Sequence, residues 1–198
     1  MFAKRIFDLV FVVPGLLLLT PVFLFLALLI AVDSPGPVFF RQVRVGKSGS
    51  LFQIYKFRTM VLNAESLGAK VTIGQDPRIT RTGTFLRKYK LDELPQLINI
   101  LKGEMSLVGP RPEVPEYVSY WPMDMYELIL SVPPGITDYA SIEFRNESEL
   151  LEGVADPVEV YVREIMPVKL EYYARYVKDR GVFLDFWLIL RTIAAIFH

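Results

Sequence analysis

Asp92 and Glu93 are adjacent carboxylates at the start of an apolar, helix-like stretch, YKLDELPQLINILKGEMSLVGPRP, that runs from Tyr89 to Pro112. Arg87, Lys88 and Lys90 precede the pair within about one helical turn, and Arg111 follows between Pro110 and Pro112 on a rigid turn. Two carboxylates among fixed cations suit phosphoryl chemistry. One can attack phosphorus to give an acyl phosphate, while its neighbour holds Mg²⁺, a hard ion that takes oxygen ligands. Arginines neutralise a diphosphate as it is split, and a helix start adds backbone donors beneath it. A plainer reading stays open. Asp92 as an N-cap, Glu93 in the first turn and Pro95 tolerated behind them would be favoured by orphan amides and the helix dipole alone, at about 0.5 to 2 kcal/mol.

Composition narrows what else can react. The chain has no cysteine, which removes thiol nucleophiles, thiolate metal sites and disulfides. The single histidine is the last residue, His198, which argues against histidine triads and the usual zinc sites. Formal net charge is zero over 198 residues, so bulk charge gives no hold on nucleic acid and any anion site must be local.

The pair needs a frame. VFFRQVRV and LFQIYKF, separated by GKSGS, predict two strands joined by a glycine-containing loop. Lys56 and Arg58, two apart in YKFRTM, are expected to point one way and hold a phosphate; the alternative is a solvated edge ribbon. Leu9 to Val32 carries no charge and is long enough to cross a bilayer. Pro14-Gly15 and Thr20-Pro21 interrupt it, and basic residues flank both ends: Lys4 and Arg5 before, Arg41, Arg44, Lys47, Lys56 and Arg58 after. The positive-inside rule then favours one side for both ends. The expectation is a re-entrant helix-break-helix bent at Thr20-Pro21, with a straight single span as the alternative.

Further along, helices are expected from Val61 to Ala69, behind Thr84 as a cap, from Leu94 to Leu101 ended by Lys102-Gly103, and from Val158 to Arg180. Ile73 to Gly83 reads as a loop, and ASIEFRNESELLEG as containing a strand or extended turn before more acidic helical sequence. Pro115 to Val132 is rich in aromatic and methionine residues, suited to a headgroup layer or to a core. The tail VFLDFWLILRTIAAIF is too short and too charged for a comfortable span and reads as an interfacial or core helix. The expected fold is α+β and mostly helical: a membrane hairpin over residues 1–34, then a β-hairpin and amphipathic interfacial helices within one membrane-associated cytosolic catalytic unit over 35–198.

KRIFDLV with its apolar segment, SPGPVFFRQVRVG, FQIYKFRTM, LDELPQLINILKGEMSLVGPRP and PPGIT, in that order, resemble the bacterial sugar transferase family, the monotopic polyprenyl-phosphate phosphoglycosyl transferases. The resemblance runs from about Lys4 to Thr137, and YYARYVKDRGVFLDFW is similar to the family's closing helix. It implies a minimal catalytic form on the cytoplasmic face of the bacterial inner membrane. A UDP-sugar would give its sugar 1-phosphate to polyprenyl (undecaprenyl) phosphate, releasing UMP, by a ping-pong route through a phosphorylated aspartate with Mg²⁺, at the first membrane step of glycoconjugate assembly. Matched by position, Asp92 is the nucleophile and Glu93 its metal-binding neighbour, with Asp92 the second candidate ligand. Lys56 and Arg111 match phosphate- and substrate-binding positions, Pro112 shapes the turn, and Arg87 and Arg58 complete the candidate substrate-binding cations. PGITDYASIEFRNE departs from the family pattern, which continues PGIT with glycine and a short motif ending in Gly-Arg; Arg145 is the candidate for that arginine. Polyprenyl phosphate, the UDP-sugar and membrane lipid are the expected partners, nucleic acid is not, and a homodimer is compatible with the pattern. Two alternatives remain: a membrane-bound Mg²⁺-dependent nucleotide-sugar hydrolase, and a non-enzymatic membrane scaffold.

Overall fold

The computed structural model describes residues 2–64 and 76–197. Helix α1 (Phe2–Asp33) is followed by strands β1 (Phe39–Val45) and β2 (Leu51–Phe57), which pair antiparallel with Arg41 opposite Tyr55 and Phe40 opposite Lys56. Helices α2 (Arg81–Lys88) and α3 (Gln96–Lys102) flank the Asp92-Glu93 segment. Strand β3 (Ser106–Val108) pairs in parallel with β4 (Gly135–Thr137), and α4 (Pro115–Val118) and α5 (Met123–Ile129) lie between them in sequence. Then come α6 (Tyr139–Glu143), α7 (Glu147–Leu150), α8 (Pro157–Val160), a π-helical turn (Tyr161–Ile165), α9 (Met166–Asp179) and α10 (Val182–Phe197). The fold is thus mostly helical α+β with two small sheets.

The expected hairpin is found, and Gly103 in the left-handed region ends α3 as its sequence predicts. Two expectations fail here. Thr80, not Thr84, caps α2, because its hydroxyl accepts from the Gly83 amide. ASIEFRNESELLEG folds into α6 and α7: Asp138 caps α6 by accepting from the Ser141 amide, so the segment closes locally instead of pairing as a strand. Most of the helix expected at Val61 to Ala69, and the start of the Ile73 to Gly83 loop, lie outside the described residues.

The membrane segment differs as well. α1 is one uninterrupted helix with Pro14 and Pro21 inside it, not two helices with a break. Pro21 removes one amide donor, and the Thr20 hydroxyl bonds back to the Leu16 carbonyl at 2.8 Å; both favour bending without ending the helix. It is long and apolar enough to cross a membrane by length and composition. Its two ends nevertheless grip the same body. Near the start, Arg5 donates to the Ile100 and Leu101 carbonyls at the end of α3, Lys4 pairs with Asp185 at 3.0 Å, and Asp8 accepts from Ser106 Oγ at 2.9 Å. At the finish, Asp33 accepts from the Thr82 amide and the Ser34 carbonyl accepts from Arg58. Val12 packs with Phe52, Ile54 and Ile100, while Leu26 and Ile30 pack with Phe57 and Leu86. Between these contacts Leu17, Leu18, Leu24 and Phe25 stand exposed.

Asn99 joins the hairpin to α3. Fully buried, it accepts from the Tyr55 amide at 2.9 Å and donates to the Gln53 carbonyl at 2.7 Å, taking the place of a neighbouring strand along the free edge of β2. Glu104 accepts its second donor at 2.7 Å. Asn99→Ala would remove the partner of two backbone groups, at about 0.5 to 1.5 kcal/mol for each bond lost. At about 2 to 4 °C per kcal/mol for a chain of this size, the melting temperature is expected to fall by about 2 to 12 °C; a thermal scan that overlays the parent would contradict this.

Candidate active site

The chain turns sharply before the carboxylate pair. α2 ends with Arg87 and Lys88, and Lys90 takes the left-handed conformation at φ 55°, which L-residues with a side chain adopt at a cost. Leu91–Glu93 then forms a single 3₁₀ turn. Asp92 and Glu93 thereby face a cavity of about 1130 Å³, whose wall also holds Lys56, Arg87, Lys88, Lys90 and Arg111. The capping expectation is corrected here. α3 begins only at Gln96, with Pro95 ahead of it and no side-chain cap, so the Asp92 side chain is not spent on helix amides.

The two carboxylates have opposite surroundings. Lys56 Nζ donates to Glu93 Oε1 at 2.8 Å, and Arg111 donates to both Glu93 oxygens, to Oε2 at 3.1 Å. Burial works against the Glu93 charge, but Arg111 and Lys56 outweigh it and hold this carboxyl well below the usual range. Glu93 in turn raises Arg111 and so keeps it charged. Asp92 is only 8% exposed, and its Oδ1 has no hydrogen-bond partner. Burial first, then the Glu93 charge, pushes Asp92 upward against the pull of Lys56, Arg87 and Lys90. Glu93 is a fixed anion held by three donated hydrogen bonds; Asp92 is a desolvated carboxylate with an unused lone-pair face.

Each cation has its own support. Lys56 ends the strand that Asn99 holds. Arg111 follows β3, which is seated from two sides: Asp8 accepts from Ser106 Oγ and the Leu107 amide, and the Tyr176 hydroxyl donates to the Val108 carbonyl. Beyond β3, Gly109 and Gly135 touch so closely that a Cβ on Gly135 would lie 2.1 Å from the Gly109 nitrogen, so this crossing admits only glycine. Arg87 Nε donates to Thr59 Oγ1 at 3.0 Å.

Of the residues singled out in the sequence, Lys56, Arg87, Asp92, Glu93, Arg111 and Arg145 line this one cavity. The Arg145 guanidinium also donates to the Ala195 carbonyl of α10. Pro112 is buried behind the wall, where its carbonyl accepts from Arg44 at 3.0 Å. Arg58 is placed elsewhere. β2 ends at Phe57, so the two-residue alternation no longer applies, and the buried Arg58 donates to the Ser34 carbonyl and hydroxyl at 2.6 and 2.9 Å. It closes the end of α1 and does not accompany Lys56. Sequence reasoning did not single out Glu113, Tyr161 and Lys169, which also line the cavity. Glu113 directly after GPRP was the available signal for the first.

Among the described residues no group of three or more metal-ligating side chains forms a cation site. The unpartnered Asp92 Oδ1 still fits a magnesium ion of the kind held by one or two carboxylates and a substrate's phosphates. Glu93 could join such a shell through the second lone pair of Oε2, which accepts from Arg111 alone.

The bacterial sugar transferase family model matches residues 1–198. The chain is 39% identical over 199 residues to the UDP-N-acetylgalactosamine-undecaprenyl-phosphate N-acetylgalactosaminephosphotransferase of Aeromonas hydrophila, covering 98% of this chain and 44% of that protein. It is 36% identical over 193 residues to the UDP-glucose:undecaprenyl-phosphate glucose-1-phosphate transferase of Escherichia coli (strain K12), covering 96% of this chain and 39% of the relative. A Caulobacter vibrioides protein of the same name is 34% identical over 195 residues, with 98% of this chain and 69% of that protein covered. The chain therefore spans less than half the length of the Aeromonas and Escherichia proteins.

The asymmetry of the pair has a measurable consequence for stability. Because the folded-state pKa of Asp92 is raised, its ionisation disfavours the fold; the penalty is absent below the unfolded-state pKa of about 3.9 and complete above the folded value. Asp92→Asn is therefore expected to raise the melting temperature at pH 7, by about 2 to 4 °C for each kcal/mol relieved, with the gain shrinking as pH falls toward 4. Thermal scans at pH 7 and pH 4.5 check this, and a variant less stable than the parent at pH 7 would contradict it.

Proposed function

The chain belongs to the bacterial sugar transferase family, and from that premise we propose that it transfers a sugar 1-phosphate from a UDP-sugar to polyprenyl phosphate, releasing UMP. The observation that carries this reading is the unequal carboxylate pair in a cationic cavity: an unpartnered Asp92 beside a Glu93 that fastens Lys56 and Arg111. The relatives' names, each an undecaprenyl-phosphate sugar phosphotransferase, support the same reaction class. They carry two different sugars, N-acetylgalactosamine and glucose, so the donor sugar is left open by kinship.

In the proposed route an oxygen of Asp92 attacks the sugar-bearing phosphorus. The bond from that phosphorus to the bridging oxygen breaks, UMP departs, and Asp92 carries the sugar phosphate as an acyl phosphate. An oxygen of polyprenyl phosphate then attacks the same phosphorus, freeing Asp92 and giving polyprenyl diphosphate sugar. A carboxylate short of hydrogen bonds is the better nucleophile of the two, because little solvation must be stripped before attack. Lys56, Arg87, Lys90 and Arg111 offset the charge of the diphosphate and of the departing UMP. Mg²⁺, with Asp92 and the donor's phosphate oxygens to hold it, would supply further charge neutralisation at the phosphates.

For the membrane segment the proposal is a re-entrant α1, entering and leaving the cytoplasmic face of the bacterial inner membrane. Support comes from Arg5 and Asp8 at one end and Asp33 and Ser34 at the other, all bonded to one body while the apolar middle stands exposed. A straight helix of 32 residues would be roughly 48 Å long. That exceeds a hydrocarbon core of about 30 Å, so a bend within one leaflet reconciles the length with both contacts.

Purified protein given Mg²⁺, polyprenyl phosphate and a panel of UDP-sugars is expected to release UMP with at least one donor, and Asp92→Asn to lower the rate by a factor of about 10⁴ or more. UMP release at full rate without polyprenyl phosphate would favour a hydrolase instead, and release unaffected by Asp92→Asn would remove the proposed nucleophile. Single cysteines introduced at positions 2 and 50 are expected to react with an impermeant thiol reagent from the same side of the membrane. Labelling from opposite sides would establish a through-going span.

A further inference from the structure

The cavity is larger than a diphosphate requires, and its wall changes character beyond Arg111. Glu113, Tyr117, Glu147, Tyr161 and Lys169 all line it. Tyr161 donates to Glu113 Oε1 at 2.6 Å, while Lys169 Nζ lies 2.8 Å from Glu147 Oε2, 3.5 Å from Glu113 Oε1 and 3.2 Å from the Tyr161 hydroxyl. The rings of Tyr117 and Tyr161 are 5.0 Å apart. Tyr161 opens the π-helical turn, a distortion that concentrates at functional sites.

Nothing in the proposed phosphoryl transfer uses this group. We propose that it is the subsite that reads the sugar of the donor: Glu113 and Glu147 accept from ring hydroxyls, Lys169 and Tyr161 fix those acceptors in place, and Tyr117 contributes an aromatic wall. The inference rests on the reading of the chain as a UDP-sugar transferase and assigns one part of that donor. Position supports it, because the sugar is bonded directly to the phosphorus that Asp92 would attack, and Glu113 stands two residues from Arg111 on the same proline-bounded turn. Chemistry separates the sugar from the other neutral end of the donor. A pyranose presents several O–H donors, whereas uracil presents two carbonyl acceptors and one N–H, and paired carboxylates favour the first and repel the second.

The test measures binding of UDP and of four UDP-sugars (glucose, galactose, N-acetylglucosamine and N-acetylgalactosamine) to the full chain in detergent by calorimetry, together with UMP release. Glu147→Gln is expected to bind UDP within about twofold of the parent, while Kd for the preferred UDP-sugar rises by about tenfold and the ranking of donors in UMP release changes. Lys169→Met is expected to do the same more severely. UDP binding also reports folding, so if Lys169→Met loses it the decision falls to Glu147→Gln, whose partner residue stays in place. Equal weakening of UDP and UDP-sugars in Glu147→Gln would assign the wall to the nucleotide and overturn the inference, as would an unchanged donor ranking. A parent that releases no UMP from any donor would instead overturn the transferase reading on which it stands.

Discussion

One carboxylate, Glu93, receives two cations that reach it from different parts of the chain. Lys56 arrives on a β-hairpin 37 residues upstream and Arg111 on a turn 18 residues downstream, and neither is in place unless its own element is fixed first. Asn99 meets that requirement for the hairpin by standing in for a strand, and Asp8, Tyr176 and the Gly109–Gly135 crossing meet it for the turn. Burying ions in this way is not a gain in stability in itself, since desolvation cancels much of the Coulomb attraction. What the pairing secures is position. Two cations are held ready, their charges only partly neutralised, at the mouth of a cavity whose other carboxylate is unpaired.

The apolar helix α1 belongs to the same framework. Its start bonds the carbonyl end of α3 through Arg5, and its end bonds the amide start of α2 through Asp33. α2 and α3 are the helices on either side of the Asp92-Glu93 turn, so the two ends of α1 brace the segment that carries both carboxylates. Arg58 strengthens the brace at Ser34 instead of serving the cavity. A lysine pairing with Asp185 ties α10 to the same root, and α10 turns an exposed apolar stripe outward, with Phe183 94% exposed. Such a stripe and the uncovered middle of α1 are both faces suited to lipid. Under the proposed transfer to a lipid phosphate, supporting the reacting residues and the lipid-suited faces by the same few bonds would fix the distance between bilayer and reacting phosphorus.

Local patterns in the sequence carried the parts whose physics is local. Alternation in FQIYKF and the glycine after Lys102 marked the hairpin and the end of α3 correctly, and the charged residues around Asp92 marked a cavity that gathers six of the singled-out side chains. Errors arose where a short-range rule was carried past its range. Arg58 was read with Lys56 as though the strand continued, and Asp92 as a cap although the helix begins four residues later. Two prolines suggested a broken helix, yet the helix continues, because a proline costs one donor and bends the axis while the remaining hydrogen bonds hold. Glu113, Tyr161 and Lys169 were invisible for a different reason. Their significance lies in meeting one another across 48 and 56 residues of sequence, and no spacing rule reports that.

The difference between the two carboxylates follows from this long-range assembly and not from their own sequence, since a neighbouring Asp and Glu on an isolated turn would have nearly the same acidity. Once Lys56 and Arg111 both take Glu93, its charge becomes permanent and raises the cost of a second one next to it. Asp92 is left with burial and an anionic neighbour on one side and the more distant Arg87 and Lys90 on the other. With one oxygen unpartnered and buried beside an anion, it is held above the ordinary carboxylate range, the cations nearby offsetting only part of that push. An incoming diphosphate draws on the same cations, so the balance at Asp92 depends on what occupies the cavity. In the proposed attack on phosphorus such a carboxylate would have little solvation to lose, and the fold bears the cost of holding it there.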